Sequence, residues 1–325
     1  MPLVRSFAVA VAIALVLAAG GLLAPKWLLF LATMSVSHGL AVLGIVVLMR
    51  GGGASFGQGM FFAIGAYVAA SMPQTLGITD AVVRSLLGMI AAGVVAAVFA
   101  PMLARYRGIF FAMLTLALSM VLYGLLSKAS AVGGTDGLTV AKPTLLGLVL
   151  TPGRADYLLF VLTVVLAVLA AWAVVVYKNS VAGLLAQAVR ANSLRVEYLG
   201  ASSQRSLATS FVLCGLLGGL GGAITAQVLG HVEPDFTNWT TSGEFVFIAV
   251  LAGQQSVAAV FVASLLLEIV RSFSNLYFPN TWQLALGAFL LFVILFRPGG
   301  IGSLWAGRRK TVADTPAVPL QERRA

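Results

Sequence analysis

The sequence predicts an all-α protein: a polytopic transmembrane helical bundle of about ten crossings, some of them short broken helices, with the N- and C-termini cytoplasmic. Three observations carry that expectation. Hydrophobic residues make up 60% of the 325 and charged residues only 9%, where a soluble domain carries roughly 25% charged residues. Apolar runs of about 20 residues, the length that crosses a bilayer as helix, recur along the chain, and the mean hydropathy is +1.02. The basic residues sit mostly at the ends of these runs and in the loops, so the formal charge of +10 reads as membrane topology and not as nucleic-acid binding. The bundle, residues 1–300, is expected to be the working domain, with 301–325 a basic cytoplasmic tail.

The runs justify the spans one by one. Residues 7–24 follow Arg5; more spans come at once, so they read as a first span and not as a cleaved signal peptide. Residues 28–49 form the second, with Ser35, Ser37 and His38 inside it, and a lone histidine there is read as a packing and hydrogen-bonding residue. Then comes GGGASFG, residues 51–57, with four glycines and one serine in seven positions, which disfavours regular helix. Such backbone is tolerated at membrane depth only against protein or a watery cavity. A short span continues to about Ser71. Two further spans, 82–104 and 108–127, are separated by the basic turn Arg105–Tyr106–Arg107. A loop at 128–155 holds GGTDGL, and 156–177 is the sixth span.

Residues 178–205 are the longest polar break that also looks helical, with Lys178, Arg190, Arg195 and Arg205 against the single acid Glu197. A basic loop between spans is expected in the cytoplasm, where a short helix could be gripped by a soluble partner. Residues 207–229 make the seventh span, where Gly215, Gly218, Gly219 and Gly222 form two overlapping GxxxG pairs and predict close helix packing. The stretch 243–272 is interrupted by Gly253–Gln254–Gln255–Ser256. Two short passes meeting there, followed by a last span at 282–296, bring the tail with Arg308, Arg309, Lys310, Arg323 and Arg324 to the cytoplasm. Glu268 and Arg271, three apart, could pair on one helix face. Disrupted helix within apolar sequence marks Ser55, Gly57, Gln58 and Gly253 as candidates for the translocation path, with close packing as the alternative reading.

Catalytic constellations are missing from the sequence. His38, His231 and the intramembrane Cys214 make no metal cluster, and there is no GxxxxGK[ST] nucleotide loop. Neither a run of intramembrane carboxylates nor a regularly spaced arginine helix is present. No catalytic, metal or cofactor site is expected, and the energy for moving a solute would come from elsewhere.

Four stretches carry a family resemblance: SFGQGMFFAIGAYVAA at 55–70, RGIFFAMLTLALSMVLY at 107–123, GGTDGL at 133–138, and AVRANSLRVEYLGASSQRSLATSFVLCGLLGGLGGAITA at 188–226. They resemble, in the family's order, the membrane permease subunits of branched-chain amino acid ABC transporters, and of the pair the larger Liv-type permease. There are departures: Ala182–Gly183–Leu184–Leu185 stands where the family often has Gly-Arg, Ser193 where an acid often follows the Asn, and the Gly-Pro that often follows the 252–256 region is missing. The resemblance implies a permease subunit of an ATP-driven importer in the bacterial cytoplasmic (inner) membrane. Its implied partners are two cytoplasmic ATPase subunits, a second permease subunit, an extracytoplasmic solute-binding protein and the lipid bilayer. It assigns 178–205 the part of the ATPase-coupling loop, with Arg190, Asn192, Glu197 and Gly200 as candidate residues. Related permeases carry urea, amides or aromatic acids, so these solutes stay open beside branched-chain amino acids. A stand-alone channel or secondary carrier for small neutral solutes is the reading from a different class.

Overall fold

The computed structural model describes residues 2–145, 148–149, 155–277, 281–296 and 300–304. Among them are twelve α-helices: α1 Pro2–Leu23, α2 Lys26–Arg50, α3 Gln58–Thr75, α4 Ala81–Leu103, α5 Ile109–Lys128, α6 Ala155–Asn179, α7 Val181–Ala191, α8 Ser193–Tyr198, α9 Ser203–Leu229, α10 Trp239–Ala252, α11 Val257–Tyr277 and α12 Trp282–Phe296. Six of these, α2, α4, α5, α6, α9 and α11, are long and apolar enough by length and composition to cross a membrane. The protein is a multi-pass helical membrane protein. The basic tail residues Arg308, Arg309, Lys310, Arg323 and Arg324 lie outside the described residues.

Helix α9 is the axis. In lipid the hydrophobic effect does not drive helices together, so close packing and interhelical hydrogen bonds must. The glycines of α9 supply the first. A methyl group on Gly219 would collide with Ala92 of α4, and one on Gly222 with the carbonyl of Phe62 on α3. On the opposite side, Gly44 of α2 leaves room for the backbone of Cys214, whose carbonyl would lie 2.8 Å from an added Cβ. The second comes from hydroxyls: Ser37 of α2 donates to the Gly221 carbonyl at 2.9 Å, and Thr225 donates to Ser37 at 2.9 Å. The tight packing expected of the GxxxG pairs is what the structure contains.

Two helices start inside the bundle. After α2 ends at Arg50, residues 51–57 are irregular and turn back alongside it. Gln58, the first residue of α3, donates to the carbonyl of Ala41, nine residues before Arg50, so the segment has climbed back about 14 Å. Gly51, Gly53, Ser55 and Gly57 are buried against protein, which satisfies the condition for irregular backbone at membrane depth. The second case mirrors the first. After α9 ends at Leu229, residues 230–238 turn back, and Ser119, midway along α5, donates to the Thr237 carbonyl at 2.7 Å. Helix α10 starts there, and the two helix starts touch, Gly59 N–H donating to Ser242 Oγ at 3.0 Å. From this junction α3 runs toward one end of the bundle and α10 toward the other.

The end away from Arg50 is closed by loops. β1, Leu138–Thr139, pairs antiparallel with β4, His231–Val232, and β2, Thr144–Leu145, forms a hairpin with β3, Leu148–Val149. Arg84 of α4 is fully buried beneath them, its Nε donating to the Ala69 carbonyl at 2.7 Å and its Nη1 to that of Ala141 at 3.1 Å. It ties the last turns of α3 to the loop. Tyr157 at the start of α6 donates to the Ala18 carbonyl near the far end of α1, which sets α1 and α6 antiparallel.

Candidate functional site

The polar stretch 178–205 folds into a two-helix unit at the Arg50 end. Ser180 caps α7, its hydroxyl accepting from Gly183 N–H at 3.4 Å. Gly183 must be small, because an added Cβ would strike the carbonyl of Tyr177 at the close of α6. Asn192 breaks the helix with extended backbone and caps the next one, its Oδ1 accepting from Arg195 N–H at 2.9 Å. Gly200 then closes α8. Its φ is +84°, its N–H donates to the Glu197 carbonyl at 2.9 Å, and Ala201 N–H reaches the Val196 carbonyl at 3.2 Å. That pair of bonds is the Schellman stop, in which glycine takes the left-handed position.

Burial within this unit is one-sided. Ala186, Val189 and Val196 are buried against the bundle. The opposite face exposes Val181, Leu184, Leu194, Tyr198 and Leu199, with Tyr198 90% exposed, beside exposed Arg190 and Arg195. Glu197 is held by a hydrogen bond from Ser203 and lies 3.9 Å from Arg107 Nη2, which ties the loop to the turn between α4 and α5. All four residues expected in the loop, Arg190, Asn192, Glu197 and Gly200, therefore lie on one connected unit; Asn192 and Gly200 shape it, and Arg190 and Glu197 link it to neighbours.

The stretch from the last turn of α6 through α8 touches both interruptions of the bundle. Arg190 packs over Gly52 at the foot of the 51–57 segment, 3.4 Å from where a Cβ would stand. Lys178 Nζ donates to the Gln255 carbonyl at 3.3 Å, in the break between α10 and α11. Between these anchors lies a cavity of about 440 Å³ lined by Arg50, Gln187, Arg190, Gly253, Gln254 and Gln255, among others. Gly253 forms the break with φ +71° and ψ 176°, a combination essentially confined to glycine.

The four path candidates separate in space. Gly253 lines the cavity. Ser55, Gly57 and Gln58 are buried where α3 begins. Gln58 Nε2 donates to the Ala41 carbonyl at 2.7 Å, and its Oε1 accepts from Cys214 Sγ at 2.9 Å, so one amide joins α2, α3 and α9. Ser55 Oγ accepts from Gly57 N–H at 3.1 Å, and Thr115 Oγ1 accepts from Phe56 N–H at 3.2 Å. Ser55 and Thr115 thereby satisfy N–H groups of the irregular turn before α3, and Ser242 satisfies that of Gly59 in its first turn.

Ionisable side chains within the spans reach across helices as well as along one. Glu268 and Arg271 stand one turn apart on α11, as expected, and in addition Glu268 lies 3.2 Å from His38 Nδ1 on α2 and Arg271 donates to Glu244 of α10 at 3.4 Å. Helices α2 and α10 approach α11 closely enough for these side chains to reach, and three-residue spacing carries no information about that. His38 is a hydrogen-bonding residue, as expected. Glu244 was passed over; its signal was an isolated acid within an apolar run.

Comparison with known proteins follows the same line. No solved structure matches the chain. It is similar to the high-affinity branched-chain amino acid transport system permease protein LivM of Salmonella typhimurium, 27% identical over 294 residues that cover 83% of this chain and 69% of the relative. LivM of Escherichia coli is similar at the same identity and coverage. The model of the branched-chain amino acid transport system / permease component family matches residues 27–295, most of the described bundle and the α7–α8 unit with it, and the chain belongs to that family.

Proposed function

We propose that this permease is one of two membrane subunits of an ATP-driven importer for branched-chain amino acids in the bacterial inner membrane. Two cytoplasmic ATPases, a second permease and an extracytoplasmic solute-binding protein complete the assembly. The relatives named above are branched-chain amino acid permeases, which favours that solute over urea, amides or aromatic acids. ATP hydrolysis belongs to the partner subunits.

One observation carries the reading: the α7–α8 unit presents an apolar, basic-flanked face outward, while Arg190 of α7 packs on Gly52 at the first helix break and Lys178, in the last turn of α6 just before α7, bonds to Gln255 at the second. An ATPase gripping Tyr198, Leu199 and Leu184 moves both anchors together. The first anchor leads through 51–57 to the start of α3, and the second to the end of α10 and the start of α11. A stroke at the loop is thereby passed to the two helices that begin inside the bundle. A passive channel has no use for such an element.

The topology of this proposal has eight helices that pass from one side to the other, α1, α2, α4, α5, α6, α9, α11 and α12, plus α3 and α10, which begin inside the bundle, about ten crossings in all. The α7–α8 unit, both termini and the 301–325 tail face the cytoplasm, and 128–155 and 230–242 face outside. Residues 1–300 form the permease domain. Gly253 lies at the path, and Ser55, Gly57 and Gln58 line its wall where α3 begins. Uptake of labelled leucine, urea and benzoate by cells with and without this subunit tests the assignment. Leucine uptake that depends on the subunit is expected; uptake of all three unchanged by its loss would refute the proposal.

A further inference from the structure

Four ionisable side chains meet near the middle of the bundle. His38 stands twelve residues from either end of α2. Glu268 is eleven residues from the start of α11 and nine from its end, about 17 and 14 Å. Glu244 is on α10, eight residues before its end, and Arg271 is one turn along α11 from Glu268. They form two pairs, His38 Nδ1 to Glu268 Oε2 at 3.2 Å and Arg271 Nη1 to Glu244 Oε2 at 3.4 Å.

The group is not sealed. The side chain of Arg271 is 35% exposed, that of Glu244 19% and that of Glu268 15%. At mid-depth such groups cannot face hydrocarbon, where an ionised side chain costs about 3 kcal/mol or more. They must face a partner protein or a watery path. Three features select the path. Helix α10 has 14 residues, about 21 Å, so it is a half-depth helix of the kind that lines solute pathways. Ala249 and Val250, about 8–9 Å along α10 from Glu244, line the cavity at the Arg50 end, so cluster and cavity share one helix. Phe247 and Leu265, exposed one turn from Glu244 and Glu268, give the same face an apolar wall.

The charges select the ligand. The cluster offers groups of both signs, the carboxylates of Glu244 and Glu268 and the guanidinium of Arg271. A simple anion would engage only Arg271, a simple cation only the glutamates and an uncharged solute neither, whereas a solute that carries both charges engages both. We propose that His38, Glu244, Glu268 and Arg271 form a way-station in the translocation path for a zwitterionic solute, the two glutamates holding its ammonium group and Arg271 its carboxylate. The contacts of His38 with Glu268 and of Arg271 with Glu244 exchange for contacts with the solute and re-form as it leaves. Phe247 and Leu265 face its aliphatic side chain. The inference rests on the transport reading above and adds to it the residues that meet the solute.

The test uses the whole complex, this chain with its partner permease and ATPases, in vesicles with saturating solute-binding protein and labelled leucine as probe. Glu268→Gln and Arg271→Gln are each expected to lower leucine uptake at least tenfold while the subunits still co-purify. The exchange Glu244→Arg with Arg271→Glu keeps the internal pair but turns the charges around, and it is expected not to restore uptake. Wild-type uptake by the exchange variant, or by the single variants, overturns the proposal, since the pair is then only structural. Loss of co-purification in all three variants also overturns it, assigning the cluster to the contact with the second permease. If the wild-type complex carries urea or benzoate and not leucine, the zwitterion site falls while the permease reading stands. If it carries no solute at all, the transport reading falls first.

Discussion

Replacing Gly200 separates a helix stop from a docking element. In the structure its φ is +84° and, apart from its chain neighbours, no atom of the described residues lies within 4 Å of a Cβ built on it. A side chain there therefore meets no steric conflict within the subunit, and the whole intramolecular cost is backbone strain. Holding a non-glycine residue in the left-handed region costs about 1–2 kcal/mol, and a β-branched one lies at the upper end. That shifts the balance between the closed α8 and its frayed form by about 5–30-fold, against the two bonds to Glu197 and Val196 that the stop maintains. Asparagine tolerates this conformation better than valine but adds comparable bulk. Gly200→Val is expected to weaken retention of the ATPases or to leave hydrolysis without uptake. Gly200→Asn reports the cause: a variant close to wild type identifies the backbone stop as the requirement, and one as damaged as valine identifies close approach by the partner. Pull-down, ATPase rate and solute uptake are measured on one preparation of the complex. Normal binding with normal uptake in Gly200→Val would refute the idea that this loop transmits the stroke.

Other outcomes follow from the same structure. With Cys214→Ser as background, a cysteine at Ser193 should resist an impermeant thiol reagent in intact cells while one at exposed Ser130 reacts; labelling at 193 would invert the topology. A cysteine at Thr315, outside the described residues, should be protected in the same way. Gly222→Ala forces a methyl group against the Phe62 carbonyl and should destabilise the purified subunit by about 1–3 kcal/mol, read as a lowered Tm in detergent. Gly253→Val, at a φ and ψ that valine does not adopt, should lower uptake with the ATPases still bound, and unchanged uptake would remove this break from the path. Gly57→Val drives its Cβ to 2.6 Å from the Thr115 carbonyl, so it should also lower the Tm; a variant that transports normally would take Gly57 out of the wall of the path. The purified chain alone should show no ATP hydrolysis.

Much of the site was legible because its signals are local. The polar run 178–205 gave itself away by composition, and the family resemblance pointed to Asn192 and Gly200, which the structure then shows to be a helix cap and a helix stop. The break at 253–256 was visible because glycine followed by two glutamines interrupts apolar sequence, and the structure breaks the helix there. Gln58 was legible as a polar residue at a special place, but its task of joining three helices depends on Ala41 and Cys214, 17 and 156 positions away. The charged cluster was missed as a unit because its closest pair, His38 and Glu268, is separated by 230 positions.

The sequence by itself determined that this chain is a bundle of apolar helices, which runs form them and where they are interrupted, since the length of an apolar run and the conformational preferences of glycine, asparagine and proline act over a few residues. An expected span at 82–104 and the observed Ala81–Leu103 differ by a single residue at each end for that reason. Only the tertiary structure decided that 51–57 and 230–238 turn back into the bundle, that α3 and α10 start beside each other, and that four ionisable groups from α2, α10 and α11 share one face. Those outcomes depend on how closely backbones can approach. That distance is set by which glycine of α9 meets which carbonyl or methyl group of its neighbours, a relation between residues far apart in the chain that no local pattern encodes.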